Sequence, residues 1–358
     1  MRGDLRLAGR DLPDLALAAG DRGTGLRGER LGTVAGHRDF VYDPFDAYRA
    51  GLVTNPNIAV LGDVGTGKST FVKMLVRRAS DQQRRVVVLD PKGEYGGDAG
   101  GWWDACSPWS PAGADYVAMV LGVVRGDRLS DEEYMAVRDA WHDGATRHAP
   151  RPFVATARQL VTHATLRGTV RRCLDGDAAA VVNGEGEPRR VTDAISVVDL
   201  SAYWSGPLMP LVMVAATSVA HAQLYDPATA GYLVLDESWA VLQSATATLW
   251  LRGSWKLSRA VGVSHIVVLH RVADLALESP AALSVLRDCD THVIHRQRDD
   301  DVRELRHVVE LSPRDARTIR ALPRGSALVH YGNSRSVVTW RPVSGRDHTD
   351  TDGAMRAH

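Results

Sequence analysis

The sequence predicts a doubly wound α/β domain with a mainly parallel sheet covered by helices on both faces. The apolar run Ile58–Leu61 leads into a glycine-rich turn and then an amphipathic segment, which is the order strand, loop, helix. Residues 86–89 form a second run of four apolar residues without alternation, as expected for a strand covered on both faces. Strand-like and helix-like segments then alternate through the second half of the chain.

Composition places the chain among ordinary folded proteins. Of its 358 residues 44% are hydrophobic, and its 43 basic side chains balance its 43 acidic ones, so any contact with nucleic acid must be local. The three cysteines lie far apart, which argues against a disulfide framework or zinc site and favours a reducing compartment. Residues 208–222 are too short for a membrane span and predict a buried core helix. We expect a cytoplasmic protein whose association with a membrane, if any, goes through partners.

Five regions are expected along the chain. Residues 1–36 show no clear periodicity and predict a mobile N-terminal extension. Helical patterns, one with a serine cap and early acidic residues, indicate an all-helical insertion in the sheet domain. The stretches SALVHYGN and SRSVVTWRP predict a hairpin at one edge of the sheet. The remaining boundaries are a first core part at 37–111, the insertion at 112–180, a second core part at 181–343 and a loose tail at 344–358.

The turn after the first strand has the pattern of a phosphate-binding loop. It reads GDVGTGKS and satisfies G-x-x-x-x-G-K-[ST] between a strand and a helix, as that motif requires. Its backbone N–H groups can turn inward around phosphate oxygens, and the helix N-terminus points at them. Lys68 supplies a charge near the β- and γ-phosphates, and the Ser69 hydroxyl can complete a magnesium shell. The predicted phosphate-binding residues are Gly62, Asp63, Val64, Gly65, Thr66, Gly67, Lys68, Ser69 and Thr70.

The run GYLVLDESWAVL supplies the second half of the predicted site. Asp236, at the end of a buried strand, can hold a magnesium ion through water. Glu237 can polarise a water for in-line attack on a γ-phosphate, which hydrolysis needs and simple nucleotide binding does not. The chain has neither the Asn-Lys-x-Asp of switch GTPases nor the Ser-Gly-Gly signature of ABC-type ATPases. With these two classes excluded, the ATPases that carry Asp and Glu in tandem after this strand remain.

Four stretches, in this order, resemble the HerA/FtsK superfamily: NIAVLGDVGTGKST, VVVLDPKGEY, ISVVDLSAY and GYLVLDESWAVL. They are most similar to its type IV secretion and conjugal transfer ATPases, the VirB-type and TraG/TraD-like motor domains. The resemblance covers residues 40–343, and Asp-Pro-Lys-Gly-Glu-Tyr is its most specific part. It implies a RecA-like sheet with a helical insertion after the second strand. It also implies a hexameric ring that binds ATP and Mg²⁺ at subunit interfaces and moves DNA or protein.

The resemblance implies roles for further residues. The family has an arginine in a helix before a later strand that reaches the γ-phosphate of the neighbouring subunit, and Arg259 is the matching residue. Arg296 is the second candidate for that role. His270 stands where the family usually has a glutamine that senses the γ-phosphate, so hydrolysis is expected to be weaker or sensitive to pH. The residues expected to organise the cradle and its neighbour contacts are Asp90, Lys92 and Glu94.

Three functions fit this sequence. The first is an ATP-hydrolysing motor of a conjugation or type IV secretion-like apparatus. The second is a soluble HerA-like DNA translocase acting with a nuclease or in defence. The third is a nucleotide-gated scaffold with little hydrolysis, against which Glu237 argues. Membrane helices like those of coupling proteins are not found in this chain, so it resembles a motor domain standing almost alone, recruited by its N-terminal arm to membrane channel subunits.

Overall fold

Ten strands form one sheet in the computed structural model, which describes residues 30–34, 38–95, 113–143, 152–182, 194–224, 230–256, 260, 262–273 and 280–341. The strands are β1 (Arg30–Val34), β2 (Arg38–Val41), β3 (Ile58–Leu61), β4 (Arg85–Asp90), β5 (Ile195–Asp199), β6 (Gly231–Leu235), β7 (Val263–Leu269), β8 (Thr291–Ile294), β9 (Ser326–Tyr331) and β10 (Ser334–Trp340). The described helices are α1 (Pro44–Arg49), α2 (Lys68–Asp81), α3 (Gly113–Arg125), α4 (Asp131–His142), α5 (Pro152–Gln159), α6 (Arg167–Leu174), α7 (Ala179–Val182), α8 (Met209–Leu224), α9 (Trp239–Leu242), α10 (Ala245–Lys256), α11 (Pro280–Arg287), α12 (Asp299–Val308) and α13 (Pro313–Ala321).

The sheet combines a parallel part with an antiparallel extension, in the order β2-β1-β10-β9-β8-β3-β7-β6-β4-β5. The strands from β8 to β5 pair in parallel, and the pairs from β8 to β2 are antiparallel. The predicted doubly wound, mainly parallel sheet is confirmed. Because ligands of open α/β sheets bind at the carboxyl ends of parallel strands, the loop after β3 lies where a ligand is expected.

Strand β3 shows why this sequence forms a covered sheet. Ile58 and Val60 pack on one face, in the apolar layer that includes helix α2. Ala59 and Leu61 pack on the other face, in the layer that includes α3 and α8. All four side chains are fully buried. Full burial of a large aliphatic side chain is worth about 1.5–3 kcal/mol, so both helical layers stabilise the strand that carries the loop.

The described segments between β4 and β5 are helical. Helix α4 begins with a capping box, in which the Glu133 N–H donates to Ser130 Oγ at 3.2 Å and the Ser130 N–H donates to the Glu133 carboxylate at 2.8 Å. The guanidinium of Arg125, at the end of α3, donates to the same carboxylate at 2.7 and 2.8 Å. One glutamate therefore both starts α4 and fixes it against α3.

Two features at the other end of the sheet differ from the sequence-based expectations. Residues 30–34 belong to the predicted mobile extension, yet they form β1, in which Gly32 pairs with Trp340 of β10. The predicted hairpin of β9 and β10 is present, but β1 and β2 lie beyond it, so the hairpin is not the edge. Gly32 permits the pairing, because a Cβ there would lie 2.4 Å from the Thr339 carbonyl oxygen. Residues 1–29 and the predicted tail 344–358 lie outside the described residues.

The predicted core helix is α8, and its apolar side chains are buried in the layer that covers β4 and β6. Leu211, Val212 and Met213 are each at most 1% exposed. In the part of the chain that the structure describes, no helix is both long and apolar enough to cross a membrane.

Candidate active site

The loop between β3 and α2 needs glycine because neighbouring atoms leave no room for a side chain. A Cβ on Gly62 would lie 2.6 Å from the Cβ of His295 and 2.8 Å from Oγ1 of Thr66. Gly67 has φ +110° and precedes helix α2, whose N-terminus receives no side-chain cap. The free N–H groups at that helix end, with their partial positive charge, suit a phosphate.

The ammonium group of Lys68 folds back onto this loop. Its Nζ donates to the carbonyl oxygens of Gly62 at 2.5 Å and Asp63 at 2.9 Å, and lies 2.7 Å from Nδ1 of His270. The side chain is only 3% exposed. Burial lowers the pKa of Lys68 to about 8, although the nearby acidic groups oppose this shift. The loop thus holds a largely desolvated cation at the place where a phosphate would be bound.

His270 joins Lys68 to Glu237. Its Nε2 lies 2.6 Å from Oε1 of Glu237. A lysine ammonium can only donate, so Nδ1 of His270 accepts from Lys68 and the Nε2–H group donates to the carboxylate. His270 is therefore a neutral imidazole that bridges a cation and an anion. The structure brings these three predicted residues together, although Lys68 and His270 are 202 positions apart in the sequence.

Glu237 is held on both carboxylate oxygens. Its Oε1 also accepts from Lys92 Nζ, and its Oε2 accepts from Nε1 of Trp239 at 2.7 Å. Burial alone would raise the pKa of Glu237, but the hydrogen bonds from His270 and Lys92, together with the positive charge of Lys92, outweigh it and lower the pKa to about 2. The carboxylate is ionised at neutral pH, the state that can accept a proton. Its backbone has φ +46°, a conformation that is rare outside glycine and costs energy.

Asp236 is the second buried carboxylate of the site, at 5% exposure. Burial and the neighbouring charge of Glu237 raise its pKa to about 6. A bound cation would relieve this unfavourable charge. Among the described residues, no group of three or more histidine, cysteine, aspartate or glutamate side chains could hold a metal. A magnesium ion would therefore need phosphate oxygens and water in addition to Asp236 and Ser69, which is the coordination that this ion commonly takes.

The motif after β4 reaches the site through Lys92. Asp90 accepts hydrogen bonds from the N–H groups of Lys92 at 3.2 Å and Tyr95 at 2.8 Å, so it shapes its own turn. The carbonyl oxygen of Glu94 accepts from Lys73, a residue of helix α2, at 2.8 Å. These contacts tie the motif to the helix that follows the phosphate loop, and they leave the Lys92 side chain directed at Glu237.

The two predicted arginines have different outcomes. Arg296 is exposed, and its carbonyl oxygen accepts a hydrogen bond from the Asp63 N–H at 3.0 Å. Arg259 lies outside the described residues. The other predicted loop residues lie on the loop or in the first turn of α2, and Val64 is 77% exposed. They are Val64, Gly65, Thr66, Ser69 and Thr70.

Sequence reasoning did not identify three residues of this site. Trp239 donates to Glu237, Trp204 packs edge-on against Trp239 with ring centroids 5.6 Å apart, and His295 packs under the phosphate loop. Only Trp239 could have been found from the sequence, because it lies two residues beyond Glu237 and so close to the predicted acidic pair. Trp204 and His295 come from other strand ends, and their proximity follows from the strand order.

Comparisons with known proteins agree with the fold that carries this site. Residues 52–175 match the family model described as the central domain of helicase HerA. VirB4 of Thermoanaerobacter pseudethanolicus superposes with a TM-score of 0.74 at 20% identity, covering 90% of this chain and 98% of that chain. The bacterial conjugative coupling protein TrwB, solved with ADP and Mg²⁺, superposes with a TM-score of 0.59 at 16% identity, covering 93% and 92%.

This chain shares the fold of VirB4 and TrwB. The predicted RecA-like fold is thereby confirmed, and the match of residues 52–175 to the HerA central domain agrees with the resemblance drawn from the sequence. No curated protein matched the sequence.

Proposed function

We propose that this chain is a Mg²⁺-dependent ATPase that powers the transfer of DNA or protein in a conjugation or type IV secretion-like apparatus. The observation that carries the proposal is the hydrogen-bonded chain from Lys68 through His270 to Glu237. It links the cation of a phosphate loop to an ionised carboxylate that can activate water. The TrwB structures with ADP and Mg²⁺ and with an ATP analogue support ATP and Mg²⁺ as the ligands.

In the proposed reaction, the triphosphate lies along the loop. The Lys68 ammonium leaves the carbonyl oxygens of Gly62 and Asp63 and donates to the terminal phosphate instead. Glu237 accepts a proton from a water that attacks the γ-phosphorus, and the bond to the β-phosphate oxygen breaks to leave ADP. Lys68 neutralises charge on the phosphate oxygens. A magnesium ion held with Ser69 and Asp236 would neutralise more of that charge.

His270 would transmit the binding of the terminal phosphate from Lys68 to Glu237. When Lys68 turns to the phosphate, Nδ1 of His270 loses its donor, while Nε2 keeps its bond to the carboxylate. The ring is then free to turn so that its Nε2–H group donates to a phosphate oxygen instead of to Glu237. That change removes one of the hydrogen bonds that Oε1 of Glu237 accepts, so phosphate binding and activation of water are coupled through one side chain.

Assembly into a hexameric ring is part of the proposal. The loop carries an apolar side chain, Val64, that is 77% exposed, and Arg296 lies exposed beside it. A neighbouring subunit that covered this surface could supply an arginine to the phosphate, through Arg259 or Arg296, and hydrolysis would then depend on assembly. Membrane channel subunits are the proposed partners of such a ring.

A second candidate function is favoured by one finding. The match of residues 52–175 to the central domain of helicase HerA supports a HerA-like DNA translocase. That function predicts ATP turnover that rises when double-stranded DNA is added, in the absence of any channel subunit. The conjugation-type motor predicts basal turnover that double-stranded DNA alone leaves unchanged and that channel subunits raise.

Phosphate release tests the proposal. The wild-type chain, Lys68→Ala and Glu237→Gln would be compared with ATP and Mg²⁺, with and without double-stranded DNA, and with EDTA. We expect turnover in the wild type only, and its loss in EDTA. Equal rates in the wild type and Glu237→Gln would contradict the proposal and favour the nucleotide-gated scaffold. A clear rise with DNA would favour the translocase.

A further inference from the structure

Trp239 has a geometry that its place in the core does not require. It begins helix α9 directly after the strand-end turn that carries Glu237. Its indole N–H donates to Oε2 of Glu237 at 2.7 Å. The ring packs edge-on against Trp204, with an interplanar angle of 81°, so its N–H group is held in one direction. A tryptophan chosen only for packing would not need to aim its single donor at a buried carboxylate.

The two oxygens of the Glu237 carboxylate have different neighbours. Oε1 accepts from His270 and Lys92, the two groups that connect it to the phosphate loop and to the motif after β4. Oε2 accepts from Trp239. The Lys92 ammonium also lies 5.2 Å from the centre of the Trp204 ring. The indole therefore holds one oxygen while the other faces the ionisable groups of the site.

We propose that Trp239 is a positioning residue for Glu237. It fixes the rotation of the carboxylate so that Oε1 is the oxygen presented to the attacking water. The terminal torsion of a glutamate side chain has a broad, roughly two-fold profile, so a free carboxylate would present either oxygen over a wide range of angles. The N–H donor on Oε2 acts together with the bonds from His270 and Lys92 to Oε1 and limits that freedom before the substrate binds, and such orientation is a large part of catalysis. This inference rests on the proposed ATPase function.

The test compares two conservative variants of the full chain. Trp239→Phe keeps an aromatic ring beside Trp204 and removes the N–H donor. We expect kcat to fall roughly tenfold to a hundredfold, with the KM for ATP unchanged. The matched control is Trp250→Phe, the same substitution at another partly buried tryptophan, whose ring packs edge-on against Tyr116 in the helical layer. Its kcat should stay close to that of the wild type.

A double-mutant comparison separates positioning from a structural role. If Trp239 acts through Glu237, Trp239→Phe should cause no further loss of residual turnover in the Glu237→Gln background. A further loss as large as that in the wild-type background would overturn the inference, as would equal kcat values for Trp239→Phe and Trp250→Phe. Failure of the proposed function looks different, because Glu237→Gln would then turn over ATP as fast as the wild type.

A spectroscopic measurement needs no turnover. In protein labelled with ¹⁵N-tryptophan, the indole N–H resonance of Trp239 is the one that disappears in Trp239→Phe. It should move when Glu237 is replaced by glutamine, because the acceptor changes from a charged to a neutral oxygen. If that resonance kept its position in Glu237→Gln, the contact would be absent in solution and the inference would fall.

Discussion

Gly62 lies directly against the Cβ of His295, because a Cβ on Gly62 would lie only 2.6 Å from that atom. Gly62→Ala should push the first residue of the loop away from His295. We expect destabilisation of about 1–3 kcal/mol and weaker nucleotide binding. Denaturant unfolding and titration with a fluorescent ATP analogue would measure both. Gly168→Ala is the control, since its Cβ would meet no atom within 4 Å, and wild-type behaviour of Gly62→Ala would contradict the packing.

Lys68→Ala should lose nucleotide binding while keeping its fold. The ammonium now binds loop carbonyl groups and His270, and in the proposed complex it binds phosphate. A hydrogen bond to a charged group is worth about 1.5–3 kcal/mol, so ATP affinity should fall at least roughly tenfold. Calorimetric titration measures it. Lys256→Ala, at an exposed position, is the control. Unchanged ATP affinity in Lys68→Ala would refute the assignment of the loop.

His270→Gln and His270→Leu should differ sharply. A glutamine can accept from Lys68 through its oxygen and donate to Glu237 through its nitrogen, as the imidazole does now. We expect His270→Gln to retain turnover at least equal to that of the wild type. His270→Leu removes both bonds, and its turnover should fall roughly a hundredfold or more. Steady-state phosphate release compares the two variants. Equal rates would show that the bridge from Lys68 through His270 to Glu237 does not contribute to turnover.

Acid should destabilise the fold through its buried histidines. Burial lowers the pKa of His292 to about 4 and that of His295 to about 3, from an ordinary value of 6.5. The unfolded chain then binds more protons than the folded one below pH 6.5, so stability is lost as the pH falls. Each histidine should cost about 2 kcal/mol at about pH 5. Urea unfolding between about pH 7 and pH 5 measures how steeply the free energy of unfolding falls with pH, and this slope should be smaller in His292→Met. An identical slope in the variant would exclude His292 as a source of the acid sensitivity.

Arg259→Ala should bind ATP as the wild type does and still assemble, yet turn over poorly. An arginine supplied by a neighbouring subunit is worth roughly a thousandfold or more in rate. Mixing Arg259→Ala with Glu237→Gln would place an intact glutamate and an intact arginine at shared interfaces, so activity should partly return. If Arg259→Ala is fully active, Arg296→Ala should show these properties instead.

Local signals in the sequence were sufficient for the elements that position the loop. The apolar run of β3, the glycines after it and the amphipathic α2 are consecutive in the chain, so their order specifies the strand, turn and helix. The capping box at Ser130 and Glu133 is equally local. Each of these features depends on residues that are neighbours in sequence, for which helix and strand periodicity and capping rules apply.

Long-range pairings account for what the sequence could not reveal. Strand β1 is short, and its partner β10 lies about three hundred residues away in the chain. No periodicity in the sequence therefore predicts that the two strands pair. Trp239 in sequence looks like a core residue, and only the folded geometry shows its N–H on Glu237. The contact of His270 with Lys68 likewise depends on β7 and β3 being adjacent in the sheet.

The pairing of β1 with β10 has a mechanical consequence. Antiparallel hydrogen bonds join β1 to β10, β10 to β9 and β9 to β8, and the chain leaves β8 at His295, beneath the phosphate loop. Tension on a tether attached ahead of Arg30 would pull along β1 and pass from strand to strand through β10 and β9 to β8. The hydrogen bonds between the strands would resist it, and the force would reach the loop where the triphosphate is proposed to bind.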